Sequence, residues 1–339
     1  MSKITSYLSA NFSKSFFTII TPFFIIVSLV YFVRISILTS KIQMSFTELV
    51  TLYLYFMPSI LFYTIPFSFV AALAITLTRQ SQDNELPALY SLGIKSSQIM
   101  RYFLVLSILF SVLLLSLSFF AMPALKQEYK TFLAQKKAEA KLNISSGSLG
   151  QKFGDYYIFV DDKNGTKLNE VVIYNKKKEG DEQIFAAKSG EVKQDEMPYS
   201  LVLHDGYGYT YDKEKLMQVN YKNLRVFDNA KIGNYTLESI IEYWKKASQL
   251  NAILEDALFF LFVSLIPLSS LYLVAAFTMI HSRYETNVSF LVIFVVTLIY
   301  YSLASIIKEN GSLTLTLFLS LLLGLTGRYI FQKKVVRFF

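Results

Sequence analysis

The sequence predicts an α-helical membrane protein with six transmembrane helices and an all-β domain inserted between helices three and four. Three observations carry this reading. Six runs of 18 to 30 residues contain no Asp, Glu, Lys or Arg. A polar stretch of 131 residues, Lys126–Asp256, splits them three and three. Outside that stretch, Lys and Arg concentrate on alternate connections. Composition agrees: the chain is 53% hydrophobic and 17% charged, with a mean hydropathy of +0.40. An average soluble domain is roughly a quarter charged. Disordered, collagen-like and ordinary cytosolic classes are excluded on these grounds.

A membrane span needs about 20 mostly apolar residues. The runs are Ser15–Val33, Leu49–Thr78, Tyr102–Leu125, Ala257–Ile280, Thr286–Ile307 and Asn310–Gly327. The first has a basic flank, Lys3 and Lys14, as a signal peptide would. It is long, and no small-x-small cleavage site follows closely, so it reads as an uncleaved helix. In the second, Pro58 and Pro66 are expected to kink the helix. Only Lys308 and Glu309 divide the last two runs, and Asn310-Gly311 supplies the turn.

Cytoplasmic connections carry the excess of Lys and Arg. One set of connections holds Lys3, Lys14, Arg79, Lys95, Arg101, Arg283, Arg328, Lys333, Lys334 and Arg337. The other short loops hold only Arg34, Lys41 and Lys308. Both termini are therefore expected in the cytoplasm and the 131-residue stretch outside it. That stretch holds 20 basic and 20 acidic residues, so the net charge of +8 arises from membrane topology. A basic stripe interleaved with exposed aromatics is missing, and no nucleic-acid partner is expected.

Within the stretch, residues 126–142 read as a polar continuation of span three. Strands are predicted at Tyr156–Val160, Glu170–Tyr174, Gln183–Ala187, Tyr199–Leu203, Gly206–Tyr211, Met217–Tyr221 and Asn223–Phe227. Short strands at regular spacing suggest a sandwich or open barrel. Residues 237–252 read as an amphipathic helix, with Trp244 as an interface anchor. Three regions result. Residues 1–125 hold spans one to three with a cytoplasmic helix near 82–94. Residues 126–252 form the β domain with flanking helices. Residues 253–339 hold spans four to six and a cytoplasmic tail.

The apolar runs contain no intramembrane charge of the kind ion-coupled transporters place near mid-membrane. The chain has no G-x-x-x-x-G-K-[ST] phosphate loop. It has no Cys, and two His, His204 and His281, offer little for a metal site or nucleophile–base pair. An energy source is therefore expected in another subunit. The loop between spans two and three is the expected coupling point. Asn84 is placed to cap a short helix and Gly93 to end it. Leu86, Leu89 and Tyr90 share one helical face, which suits either a partner's groove or the headgroup layer.

The segment Asn84-Glu-Leu-Pro-Ala-Leu-Tyr-Ser-Leu-Gly-Ile-Lys95 resembles the loop of the LptF/LptG lipopolysaccharide-export permeases. Phe32-Val33-Arg34-Ile35, ending span one, and Ile266-Pro267-Leu268-Ser269, inside span four, resemble the family too. The three-span, β-domain, three-span layout extends the resemblance over nearly the whole chain. Val33-Arg34-Ile35 and Lys308-Glu309-Asn310-Gly311 look more like LptF than LptG. Departures are Asn84 where Ser is usual, and a shorter β domain.

The resemblance implies a permease subunit in the bacterial inner membrane that extracts lipopolysaccharide from the outer leaflet. It implies a heterodimer with an LptG-like or LptF-like paralogue, two LptB-like ATPase subunits, and an LptC-like and LptA-like periplasmic bridge. ATP and Mg would be bound by the ATPase, with no cofactor in this chain. The implied coupling residues are Glu85, Leu86, Leu89, Tyr90 and Gly93. Lipid would enter between helices one and five. Arg34 matches a basic family position, whereas Lys41 and Lys308 qualify by location. Phe17, Phe24, Tyr31, Leu291, Phe294 and Leu298 are candidate cavity residues on those helices. Phe159, Val172 and Phe185 are expected to point into the core of the β domain, which the resemblance makes jellyroll-like and where a lipid groove would form, with Phe159 and Phe185 as candidate lipid-binding residues. A membrane-anchored assembly or sensor protein that moves no lipid is the rival reading. A lipid-acting enzyme is disfavoured by the lack of a catalytic constellation.

Overall fold

The computed structural model describes residues 2–39, 42, 44–142, 147, 151–153, 156–164, 167–176, 182–193, 200–212, 215–227, 240–245, 251–279 and 289–336. Lys41 and His281 lie outside them. Two units form: one of residues 1–40, 44–129 and 237–339, the other of 41–43 and 130–236.

All six apolar runs become helices long enough to cross a membrane. They begin with α1 (Ser2–Thr39) and α2 (Phe46–Gln82), followed by the short α3 (Glu85–Ser91). Span three is α4 (Ser96–Ser116), a π-helical turn at Leu117–Ala121, and α5 (Met122–Leu142). After the β domain come α6 (Ile240–Lys245), α7 (Asn251–Ser264), α8 (Ile266–Thr278), α9 (Ser289–Asn310) and α10 (Leu313–Phe331). A capping box starts α2: Ser45 Oγ accepts from the Glu48 amide, and the Glu48 carboxylate accepts from the Ser45 amide. Pro58 and Pro66 do not end α2, which runs on through both.

Two spans are irregular. Span four, expected as one helix, is interrupted at Leu265 between α7 and α8, with Pro267 in the first turn of α8. The π turn of span three approaches this break, with Ser118 Oγ 3.5 Å from Ser264 Oγ. Trp244, expected as an interface anchor, donates its indole N–H to the Phe119 carbonyl of the π turn at 2.9 Å. Its ring packs on Phe119 at 4.9 Å. This bond ties α6 to span three.

Helix α2 sits at the centre of the helical unit, touching α1, α8 and α9. Its inner half, Ala71-Ala72-Leu73-Ala74, is fully enclosed, as are Thr64, Ser68, Thr76 and Thr78. Small residues let helix backbones approach closely, which replaces the missing hydrophobic drive inside lipid. The same device joins α10 to α8. A Cβ at Gly327 would lie 2.7 Å from the Leu273 amide nitrogen, whereas at Gly324 the nearest atom is Ser269 Cα at 3.9 Å.

The β unit contains one antiparallel sheet of six strands in chain order: β1 (Gln151–Phe153), β2 (Tyr156–Asn164), β3 (Lys167–Lys176), β4 (Glu182–Lys193), β5 (Ser200–Asp212) and β6 (Lys215–Phe227). Each strand returns beside its predecessor, so the described part is a meander. The segments expected as Tyr199–Leu203 and Gly206–Tyr211 are one strand, β5, and Met217–Tyr221 and Asn223–Phe227 are likewise one, β6. The alternation breaks inside those strands, which is why the sequence reads as two. Inward residues on β3 are Leu168, then Val171 and Ile173; on β5 they are Leu201 and Leu203, then Gly206 and Gly208. The steps of three fall at Glu170 and Asp205, which have φ of 48° and 50°. The registers place both level with Lys188 of the strand between them. A phase slip shared by neighbouring strands makes a transverse crease. Residues from both sides of it, such as Ile158 and Leu203, join one buried cluster with no helix in it.

Gly327→Ala is expected to force α8 and α10 apart and lower stability by about 1–3 kcal/mol, the usual cost of overpacking. Gly324→Ala is expected to stay near the parent. Thermal unfolding in detergent compares them, and equal midpoints would refute the close-contact assignment.

Candidate functional site

Helix α3 closes on a Schellman motif. The Gly93 amide donates to the Tyr90 carbonyl at 2.9 Å, and the Ile94 amide to the Leu89 carbonyl at 3.1 Å. Gly93 adopts φ +80°, as that motif requires. Asn84 behaves differently from expectation. It takes a left-handed conformation, φ 60° and ψ 15°, and its side chain makes no cap bond to α3.

The apolar face of α3 points inward. Leu86 is 2% exposed, and Leu89 and Tyr90 pack beside it against the core of the same unit. Burial raises the Tyr90 phenol above its ordinary value. This face is therefore spent on the chain's own core. The outward surface carries Asp83, Asn84, Ala88 and Leu92, the last 76% exposed. Sequence reasoning missed Leu92, because the i, i+3, i+4 stripe drew attention to the buried side. Glu85 is half-buried, and its Oε2 is buried with no hydrogen-bond partner among the described residues.

A second cluster lies at the ends of the spans opposite to α3. Arg34 sits over the Phe56 ring, 5.7 Å from its centroid, and Tyr31 packs on the same ring at 5.2 Å. Phe56 also meets Tyr129 at 5.0 Å. On the other flank, Lys308 lies 5.7 Å from the Phe259 centroid and 3.9 Å from Asp256 Oδ1. Tyr63 packs near Phe259 at 6.4 Å and lies within electrostatic reach of Tyr31 and Asp256. The structure thus sets aromatic rings beside both Arg34 and Lys308. Neither Asp256 nor the rings Phe56, Tyr63 and Phe259 were found from sequence. The one available signal was the i, i+3 spacing of Asp256 and Phe259, which puts both on one helix face.

The remaining candidates separate. Phe24 lies on the other side of the α1–α2 contact, in an apolar groove of about 630 Å³ with Ser28, Phe32, Leu49 and Tyr53. Leu291, Phe294 and Leu298 project from α9 with 64%, 65% and 51% exposure, and Phe17 projects from α1. In the β unit, Phe185 packs on the buried cluster as expected. Phe159 and Val172 do not. They pair with each other one residue out of phase with Ile158 and Val171, so both lie on the opposite face.

Charge-free spans, an inserted β domain and a short docked helix between spans two and three define a multi-pass permease subunit. The chain belongs to the lipopolysaccharide export system permease LptF/LptG family, whose model matches residues 6–331. It is accordingly a multi-pass inner-membrane protein of that export system. Comparison with individually curated proteins returned no match.

Leu86→Ala is expected to cost about 2–5 kcal/mol of stability, as buried leucine truncations do. Leu92→Ala is expected to change it by less than about 0.5 kcal/mol, as exposed sites do. Denaturation monitored by the fluorescence of Trp244 measures both, and a reversed order would mean that the faces of α3 are misassigned.

Proposed function

We propose that this chain is one permease half of an ATP-driven lipopolysaccharide exporter. It pairs with an LptF- or LptG-like paralogue and two LptB-like ATPase subunits, and hands lipid to an LptC-like and LptA-like bridge. The observation that carries the proposal is the pair of outer cations, Arg34 and Lys308, each set over an aromatic ring.

Lipopolysaccharide offers phosphates at the headgroup and several acyl chains. Cations hold phosphate through charge-assisted bonds, about twice as strong as neutral ones. Arg34 and Lys308 supply these, and the rings beside them give an apolar floor for the adjoining chains. Asp256 competes for Lys308, so lipid phosphate binds by displacing a carboxylate. By its place in the sequence after span one, Lys41 is proposed for the same role. Within this chain α1 packs on α2, and α9 packs on α7, α2 and α8. Their uncovered faces, with Phe17 on α1 and Leu291 and Phe294 on α9, are the walls offered to lipid and to the paralogue. Both termini and α3 lie in the cytoplasm, and the sheet is periplasmic. The ATPase presses on the outward surface of α3, and Leu86 carries that displacement into the core around α2.

Arg34→Ala and Lys308→Ala are each expected to weaken lipopolysaccharide retention about tenfold or more, from loss of about 1.5–3 kcal/mol of charged hydrogen bonding. Asp256→Asn is expected to strengthen it. Copurified lipid per complex measures all three, and indifference to both cation changes would remove the headgroup site. The path itself is tested by photocrosslinking in living cells, with a photoreactive residue at Phe185 or Leu291. Lipopolysaccharide adducts that disappear with Glu85→Ala support ATP-coupled transport. Protein adducts alone, unchanged by Glu85→Ala, favour a membrane-anchored assembly or sensor protein.

A further inference from the structure

Midway along α9, Thr297, Tyr300 and Tyr301 stand at i, i+3 and i+4 and line one small cavity against Pro66 of α2 and Ile266 of α8. Helix α9 packs on both of those helices. The three hydroxyls differ in how they are satisfied. That of Tyr301 donates to the Tyr63 carbonyl of α2 at 3.4 Å. Tyr300 is 1% exposed, and its hydroxyl has no hydrogen-bond partner among the described residues. Thr297 Oγ1 is likewise buried without one. A buried hydroxyl left unpaired is costly, and inside lipid no bulk water relieves it. The α2 side of the cavity poses the complementary problem. Pro66 has no amide hydrogen, so α2 cannot give the Phe62 carbonyl its usual bond from four residues on. Spans tolerate proline where neighbouring helices, hydroxyls or ordered water satisfy such a carbonyl. The cavity measures about 10 Å³, which is room for a single water. Its lining includes no carboxylate to balance a cation.

We propose that this cavity is a water-binding site, where one water bridges the Tyr300 and Thr297 hydroxyls in the seam between α9 and α2. A buried water needs two to four polar partners. The two hydroxyls, each able to donate and accept, supply two. The Phe62 carbonyl, one helical turn before Pro66, is the third. A bridge of this kind is nearly as favourable as a direct hydrogen bond. It joins α9, which carries Lys308, to α2, which carries Phe56 and Tyr63.

The test uses the full chain in lipid nanodiscs. X-ray footprinting reads the unaltered protein first: radiolysis of a held water oxidises the side chain beside it, and mass spectrometry counts the product. Tyr300 is expected to be oxidised several-fold more than Phe69 and Phe103, which are as deeply buried. Thr297→Val is expected to remove most of that excess. Labelling of Tyr300 no higher than that of the two phenylalanines overturns the site. Tyr300→Phe, Thr297→Val and both together are then compared by thermal unfolding. Each keeps the shape of its side chain, so folding is expected to persist. A shared water predicts that each single change lowers the midpoint by a few degrees. The double change then falls no further than the worse single one, because either loss releases the same water. A dry cavity predicts the reverse, since removing an unpaired buried hydroxyl is stabilising. A midpoint that holds or rises for either single change therefore overturns the proposal. So do losses that simply add, because each hydroxyl then has a partner of its own.

Discussion

The structure depends on the close seam around α2. Inside lipid, apolar surface gains little by leaving one apolar surrounding for another, so packing and polar contact must hold helices together. Helix α2 meets that need with small side chains, Ser68, Ala71, Ala72 and Ala74, where neighbours approach. Being enclosed, α2 also fixes both ends of the molecule's working parts. Its C-terminal end leads through Arg79 and Asp83 into α3, and its N-terminal half carries Phe56 and Tyr63 beside the cations. One helix thus positions both α3 and the rings beside the cations. The irregular π turn of span three and the broken span four flank each other through Ser118 and Ser264, so the departures from helical order cluster together.

Placement of charge follows from the same solvent. A cation at mid-membrane is costly, so the site is assembled where the spans end. Arg34 comes from the first span and Lys308 from the fifth, separated by more than half the chain. The rings beside them do two things. They give each cation a favourable π face, worth about 0.5–2 kcal/mol, and they keep an apolar surface beside the charges. An amphipathic lipid needs both at once. Asp256 completes the arrangement, its Oδ1 lying 3.9 Å from the Lys308 Nζ.

Much of this was legible in the sequence. Absence of charge located all six spans, since burying an unpaired charge in lipid is prohibitive and composition alone records it. Short segments bounded by turn residues located the strands. Failures arose where a second element decided the outcome. The stripe Leu86, Leu89 and Tyr90 was correctly read as one face, but whether a face meets a partner or its own core depends on tertiary packing. Phe159 and Val172 were placed inside because apolar character was taken as direction. In a strand direction alternates with every residue, and the left-handed residues Glu170 and Asp205 shift that alternation midway. Pairs such as Lys308 with Asp256 are distant in sequence and leave no local pattern.

The crease explains how a sheet without helices hides an apolar face. Two consecutive outward residues on neighbouring strands bend the sheet, so its halves share one core. That core is filled. Phe185 covers Gly208, and Tyr221 covers Gly206 while its hydroxyl donates to the Ala186 carbonyl at 3.2 Å. The missing Cβ atoms make room for these rings: a Cβ at Gly206 would meet the Tyr221 hydroxyl at 2.5 Å. On the proposed function, an acyl chain using this face would compete with the protein's own aromatics and would enter where the packing is weakest. On β6 the inward residues Met217 and Val219 are 55% and 62% exposed, beside the partly buried rings of Phe185 and Tyr221. Chains entering from that edge would displace Tyr221 before Phe185, because Tyr221 stands on the edge strand and Phe185 two strands further in.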